Sequence, residues 1–350
     1  MKTIKEKDKK MRITKLLVAL SFLFAVSTAN AGELTVTGNM EVTYHTTQEG
    51  GTTGNPLGTD RELKFAGSTE LDNGITVSVM QDTNDSLTYG NSQLSFGNVG
   101  GFATVYIGSD SDPVDAIDDI TPSAYEEANG SGSGTYVDIG GLASEMGIGV
   151  KFDLPILGSV NYKYYPQVDG TKNSDNTNSG AGTASADGYS VTVKTSLADL
   201  PVVGSYLGNL ALTTGYSLDK VSNVANTDDG HEATAAITGS AGNFSFGYQR
   251  KYDNAGQTAA GTDAVFYKDE VIGVAYAVND ELSISYNSYR SEKHTGSSGG
   301  QNIEQETDAI NVGYTMGGMT IGLQDASTDN ANFTKNAKDD TRTLGISVAF

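Results

Sequence analysis

The chain has 350 residues, 37% of them hydrophobic, with 43 Gly, 18 Tyr, no Cys and no Trp, and a formal net charge of −21. The lack of Cys excludes disulfides, thiolate metal centres, iron–sulfur clusters and cysteine nucleophiles. The charge argues against nucleic acid and anionic lipid head groups as partners.

Residues 1–31 read as an export signal. Met11-Arg12-Ile13-Thr14-Lys15 is a basic segment, Leu16 to Val26 is apolar, and Ala29-Asn30-Ala31 has the small-x-small form of a cleavage site, placing processing after Ala31. The Lys-rich decapeptide before Met11 is unusual for a signal and makes Met11 the expected start. These 31 residues hold seven basic and two acidic side chains, so the remaining 32–350 carry about −26. No later segment approaches the roughly 20 consecutive apolar residues a membrane-crossing helix needs.

From there the chain alternates with a period of two residues. Sixteen strands are predicted at 34–46, 60–72, 74–83, 91–98, 102–109, 145–153, 158–166, 188–198, 208–219, 231–240, 243–253, 264–277, 281–292, 305–316, 319–328 and 341–350. One face of each is greasy: Val160, Tyr162 and Tyr164; Phe244, Phe246 and Tyr248; Leu282, Ile284 and Tyr286; Ile310, Val312 and Tyr314. The other is polar, as in Asn161 and Lys163, Ser245 and Gln249, Ser283 and Asn287, Asn311 and Thr315. Short turns at Asp72-Asn73-Gly74, Asn98-Val99-Gly100-Gly101, Ala241-Gly242, Asn279-Asp280 and Gly317-Gly318 alternate with long loops at 47–59, 167–187, 254–263, 293–304 and 329–340. The last strand alternates Leu344, Ile346, Val348 and Phe350 with small or polar residues, and Phe350 is the expected assembly signal at the membrane–water boundary. The predicted fold is all-β: a transmembrane antiparallel β-barrel of about 16 strands, in outer-membrane lipid, with a polar bore. A large soluble β-sandwich or β-helix also alternates, but its core would need more bulky residues.

Residues 110–144 form an exceptionally long connection between the fifth and sixth strands. They carry Asp110, Asp112, Asp115, Asp118, Asp119, Glu126, Glu127 and Asp138 and no Lys or Arg, with Val114 to Ile120 between two prolines as a possible helical turn. The segment is either a solvated acidic surface loop or a loop folded into the lumen, lining it with carboxylates. Lys64, Lys151, Lys163, Lys194 and Lys251 point inward by parity, with Glu62 and Glu70 beside Lys64. Asp115, Asp118 and Asp119 are weak candidates for calcium, since the run lacks the spacing of an EF-hand.

The signal, the turn and loop alternation, the Leu154-Pro155-Ile156-Leu157-Gly158 turn, the acidic third external loop and Phe350 together resemble the general Gram-negative porins, nearest the Rhodobacter-type group. The resemblance covers the whole chain after the signal. It implies a 16-stranded homotrimer whose third loop forms a constriction, its acidic residues facing a basic cluster on the opposite wall. The early strands here offer only Arg61 and Lys64 for such a cluster. The expected function is passive diffusion of small hydrophilic solutes and ions with a cation preference. The expected constriction residues are Asp110, Asp112, Asp115, Asp118, Asp119, Glu126, Glu127, Lys64, Lys151 and Lys163. Gly38, Gly67 and Gly345 are expected on the outside, where they would let barrels pack closely.

Two other classes compete. An enzyme would have to work through His45, His231 or His294, the only histidines; a Ser, His and carboxylate set can be drawn through any of them on so Ser-rich a chain, so catalysis is not expected. A solute-specific channel would use Tyr125 and Tyr136 of the long loop and the inward Tyr106, Tyr165 and Tyr289, which do not form a continuous track, and a surface adhesin would use its loops as the working surface.

Overall fold

The computed structural model describes residues 34–350 apart from 52, 84–87, 111, 129–138, 144, 169–184, 203, 222–228, 255, 257–264 and 296–301. The expected export signal with its site at Ala31, and Tyr136 and Asp138 of the long loop, lie outside the described residues.

Sixteen strands close on themselves in sequence order, each antiparallel to its neighbours. They are β1 (Leu34–Glu49), β2 (Leu57–Glu70), β3 (Thr76–Thr83), β4 (Tyr89–Val99), β5 (Ala103–Gly108), β6 (Gly147–Leu154), β7 (Gly158–Tyr165), β8 (Ser185–Ser196), β9 (Leu210–Val221), β10 (Gly230–Ala241), β11 (Phe244–Asn254), β12 (Val265–Ala277), β13 (Leu282–Thr295), β14 (Ile303–Met316), β15 (Met319–Asp329) and β16 (Lys338–Ala349). The barrel closes through β1 and β16, which pair from Asn39↔Ala349 to Glu49↔Asp340. Phe350 extends the closure: Gly38 N–H donates to Phe350 O and Phe350 N–H to Gly38 O, both at 3.0 Å. Closure leaves no unpaired edge, which a sheet in hydrocarbon requires.

Strand parity sorts the two faces as the alternation predicts. Outward, Leu344, Ile346 and Val348 on β16, Ile310 on β14 and Phe244 and Phe246 on β11 are exposed. An outward aromatic row crosses β7 to β11 as Tyr162, Tyr189, Tyr216, His231 and Tyr252, with successive ring centroids 5.4–6.5 Å apart. Phe266 and His294 continue it at 4.4 Å. Such a row suits a membrane interface, where a ring can meet acyl chains with one edge and water with the other. His231 therefore lies outside the barrel, whereas His45 points inward and bonds Thr343 Oγ1 at 2.8 Å.

The expected short turns occur, with Gly74, Asn98, Gly100, Gly101, Gly242 and Gly317 at positive φ. The connection from β8 to β9 is larger, holding a 3-10 turn at Leu197–Asp199 and one helical turn at Gly204–Leu207. No helix among the described residues is long and apolar enough to cross a membrane.

One expectation is overturned here. Gly345 does not face outward: it shares the inner face of β16 with the buried Thr341 and Thr343. It alternates with Leu344 and Ile346, whose exposure puts them on the lipid side. Its small size serves the lumen instead.

Candidate functional site: the third loop and its seat on the inner wall

The segment after β5 turns into the barrel and runs along the inner wall from β7 to β1. At its root Asp112 is completely buried. Its carboxylate accepts hydrogen bonds from Tyr165 Oη, from Ser190 Oγ at 2.6 Å and from Val114 N–H at 2.7 Å. Lys163, also completely buried, donates from Nζ to Asp110 O at 3.2 Å and lies 4.9 Å from the Tyr165 ring centroid. Asp112 and Lys163, expected at the constriction, are instead anchors beneath the loop. Burial behind the chain removes both from the bore.

The next residues form the predicted turn, a 3-10 segment at Asp115–Ile117. Gln249 of β11 donates from Nε2 to Ile117 O at 2.8 Å. Lys251, two residues along the same inner face, has no exposed side-chain surface and holds Asp118 Oδ1 at 2.8 Å and Asp119 Oδ1 at 3.1 Å. These two carboxylates therefore neutralise a lysine that the bare sequence would have counted as a pore charge. Among the described residues no group of three or more His, Cys, Asp or Glu is arranged to hold a metal ion, Asp115, Asp118 and Asp119 included.

Beyond Asp119 the loop lies on a run of side-chain amides. Asn287 Nδ2 donates to Pro122 O at 3.0 Å, Asn311 Nδ2 to Asn287 Oδ1 at 3.1 Å, and Gln324 Nε2 to Asn311 Oδ1 at 2.9 Å. Gln324 Nε2 also reaches Glu126 O at 3.1 Å and Glu127 O at 2.8 Å. At the far end Tyr125 Oη donates to Glu41 Oε1 of β1 at 2.6 Å. These bonds satisfy backbone that an irregular segment would otherwise leave unpaired at membrane depth.

Room for the loop comes from inward-facing glycines. A Cβ on Gly215 would stand 2.7 Å from Ile117, one on Gly247 2.8 Å from Pro122, and one on Gly273 2.6 Å from Pro122 O. On Gly313 it would collide with Ala124 O, on Gly322 with the Tyr125 ring, and on Gly345 with Tyr125 Oη. Glycine within a strand weakens it and marks close approach of another backbone. The signal was present in the sequence as glycines in the inward register of β9, β11, β12, β14, β15 and β16, but parity reading alone did not connect them with the loop.

With its backbone and Asp112 turned to the wall, the loop leaves Asp115 and Asp119 exposed and Asp110, Glu126 and Glu127 half-buried. Asp110 and Lys64 line one recess of the lumen with Ser68, Ser78, Gln93 and Ser95. Lys64 is directly opposite Asp82 in the β2–β3 register, and Lys151 lies 5.3 Å from the Tyr106 ring centroid. Loss of surrounding water, then the carboxylates of Asp112, Asp110 and Asp119, raise the Asp115 pKa despite the opposing charge of Lys163. Partial burial, then Glu127, Glu41 and Asp60, push Glu126 up to about 7. Among the described residues the wall facing the loop adds Glu41, Asp60 and Glu62 alongside Lys64, so its acids outnumber that lysine.

The profile of the Gram-negative porins matches residues 17–303. No curated protein matches the chain by sequence. Among solved structures, the barrel is similar to Vibrio cholerae OmpT in its trimer form, with a TM-score of 0.65 at 11% identity, covering 92% of this chain and 100% of that one. It is similar to Salmonella typhi OmpF in complex with daunomycin, with a TM-score of 0.63 at 13% identity, covering 91% and 98% of the two chains. A substituted Rh. blastica porin aligns with a TM-score of 0.57 at 14% identity, covering 91% and 100%. At these identities the likeness establishes the fold, while the profile establishes the family. The chain belongs to the Gram-negative porin family and is an integral β-barrel of the outer membrane, built as a channel.

Proposed function

We propose that this porin is a passive diffusion channel for small hydrophilic solutes and ions, with a preference for cations, working as a homotrimer. The observation that carries the preference is the asymmetry of the seated loop. The buried Lys251 is shared by Asp118 and Asp119 and Lys163 is buried behind the loop, while Asp115 and Glu126 remain at the bore opposite a wall that carries Glu41, Asp60 and Glu62 against Lys64. Carboxylates confined in a narrow aqueous bore with low-dielectric walls concentrate cations and repel anions, and salt weakens the effect as the screening length falls from about 10 Å at 0.1 M to about 3 Å at 1 M. Trimer formation is supported by the trimeric Vibrio cholerae relative and by the outward Gly67 on β2, which would let neighbouring barrels approach. Residues 1–31 are the proposed export signal, removed after Ala31.

Reversal potential across a planar bilayer in a potassium chloride gradient tests the reading. A potential of the sign for potassium permeation, shrinking as salt rises, with conductance steps grouped in threes, is expected. A chloride-selective or unselective channel would refute the cation preference. Flux that saturates and is blocked by one solute would replace the general channel with a solute-specific one.

A further inference from the structure

Two connections between strands on the short-turn side share an apolar motif, beyond the single exposed Phe102 and Val278 of the β4–β5 and β12–β13 turns. Leu154-Pro155-Ile156-Leu157-Gly158 joins β6 to β7, and Leu200-Pro201-Val202-Val203-Gly204 lies between β8 and β9. Each reads Leu-Pro, a β-branched residue, a further aliphatic residue and Gly. In each the β-branched residue is left-handed, Ile156 at φ 72° and Val202 at φ 74°. That conformation is costly for a side chain branched at Cβ, and among the described residues the other positive-φ positions are Gly or Asn apart from Phe333. Leu157 N–H donates to Pro155 O at 2.8 Å, closing a three-residue turn of the rare, strained hand.

Strain of this kind persists where the displayed side chain has a task. What these turns display is apolar: Val202 is 90% exposed, Tyr206 86%, Ile156 54% and Leu157 47%. Residues 154–158 and 200–208 contain no charged side chain. The first turn lies against the end of β8, the strand that leads into the second: Thr195 Oγ1 donates to Leu157 O at 2.6 Å. The patch is also continuous with the lipid-facing belt, because the outward row of β6 passes through Ile148 to the exposed Leu154.

We propose that the paired Leu-Pro turns are a lipid anchor, a local downward extension of the apolar belt under β6–β9 that sits in the acyl boundary of the periplasmic leaflet. Short turns lie on the periplasmic side of outer-membrane barrels, so this leaflet is the one within reach. Aliphatic side chains with one tyrosine and no charge match that boundary, where an amphipathic ring is favoured. Continuity with the belt selects lipid over a periplasmic protein as the occupant. The barrel is then held deeper on this sector than on the sectors whose turns are Asn, Asp and Gly.

The absence of cysteine allows single Ile156→Cys, Val202→Cys and Tyr206→Cys reporters to carry an environment-sensitive fluorophore in the full chain, reconstituted in phosphatidylethanolamine and phosphatidylglycerol nanodiscs. Asn73→Cys serves as the polar-turn reference and Ile346→Cys as the mid-belt reference. Nitroxide-labelled lipid is expected to quench the 156 and 202 reporters at least half as strongly as the 346 reporter, with iodide several-fold less effective than at 73. Iodide quenching equal to that at 73, with no quenching by the lipid, would overturn the proposal and leave the patch free for a protein partner. A second arm places Ile156→Asn and Val202→Asn, which tolerate positive φ, in the Tyr206→Cys chain. Its fluorophore should shift from lipid quenching to iodide quenching; an unchanged pattern would equally overturn the anchor.

Discussion

Filling the glycine seat beneath the loop tip tests the constriction directly. Tyr125 rests on Gly322 and Gly345, and the tip is held by its bond to Glu41 and by the two bonds from Gln324 to the Glu126 and Glu127 carbonyls. A hydrogen bond to a charged acceptor contributes about 1.5–3 kcal/mol and a neutral one about 0.5–1.5 kcal/mol, so the tip is secured by about 2.5–6 kcal/mol. Forcing extra methyl groups into a packed site costs about 1–3 kcal/mol. Gly322→Val alone should leave the tip mostly seated, whereas Gly322→Val with Gly345→Val opposes it by about 2–6 kcal/mol. At about 1.4 kcal/mol per tenfold change in population, the double variant should spend a large fraction of its time with the tip displaced. Single-channel recording should show raised conductance, added open-channel noise and reduced cation preference, while Gly97→Val, whose Cβ would meet only Thr76 at 3.6 Å, should conduct as the parent does. Wild-type conductance and noise in a folded double variant would refute the seating of Tyr125 on these glycines.

Further predictions concern charge and assembly. Asp115→Asn with Asp118→Asn and Asp119→Asn should lower the potassium reversal potential twice over, by removing bore carboxylates and by leaving the Lys251 charge uncompensated; an unchanged potential would place the loop's acids away from the ion path. Glu126, raised to about 7, is neutral below that pH and a carboxylate above it, so cation preference should rise between pH 6 and pH 8. Glu126→Gln should flatten this rise, and a retained slope would assign it to another group. Phe350→Ala keeps the backbone bonds to Gly38 but removes the ring that lies against it, and should slow appearance of the heat-resistant folded form in vesicle-assembly assays without lowering its final conductance.

Alternation, turn chemistry and strand count were legible in the sequence because side chains on a strand point to opposite faces with a period of two, whatever the rest of the chain does. Outward Tyr162, Phe246 and Ile310, and inward Lys64 and Asn311, follow from that local rule alone. The acidic segment was legible as unusual, but its composition fits a surface loop and a lumen loop equally. Only the tertiary structure decided between them, because the partners of the loop are spread over many strands far away in sequence: Tyr165 and Ser190 for Asp112, Lys251 for Asp118 and Asp119, and Glu41 for Tyr125. The same nonlocality turned Lys163 and Lys251 from expected pore charges into buried anchors, and Gly345 from an expected outer contact into part of the seat. Periodicity assigns a side chain to a face of the wall; which face residues stay wet depends on the backbone that folds back to cover them.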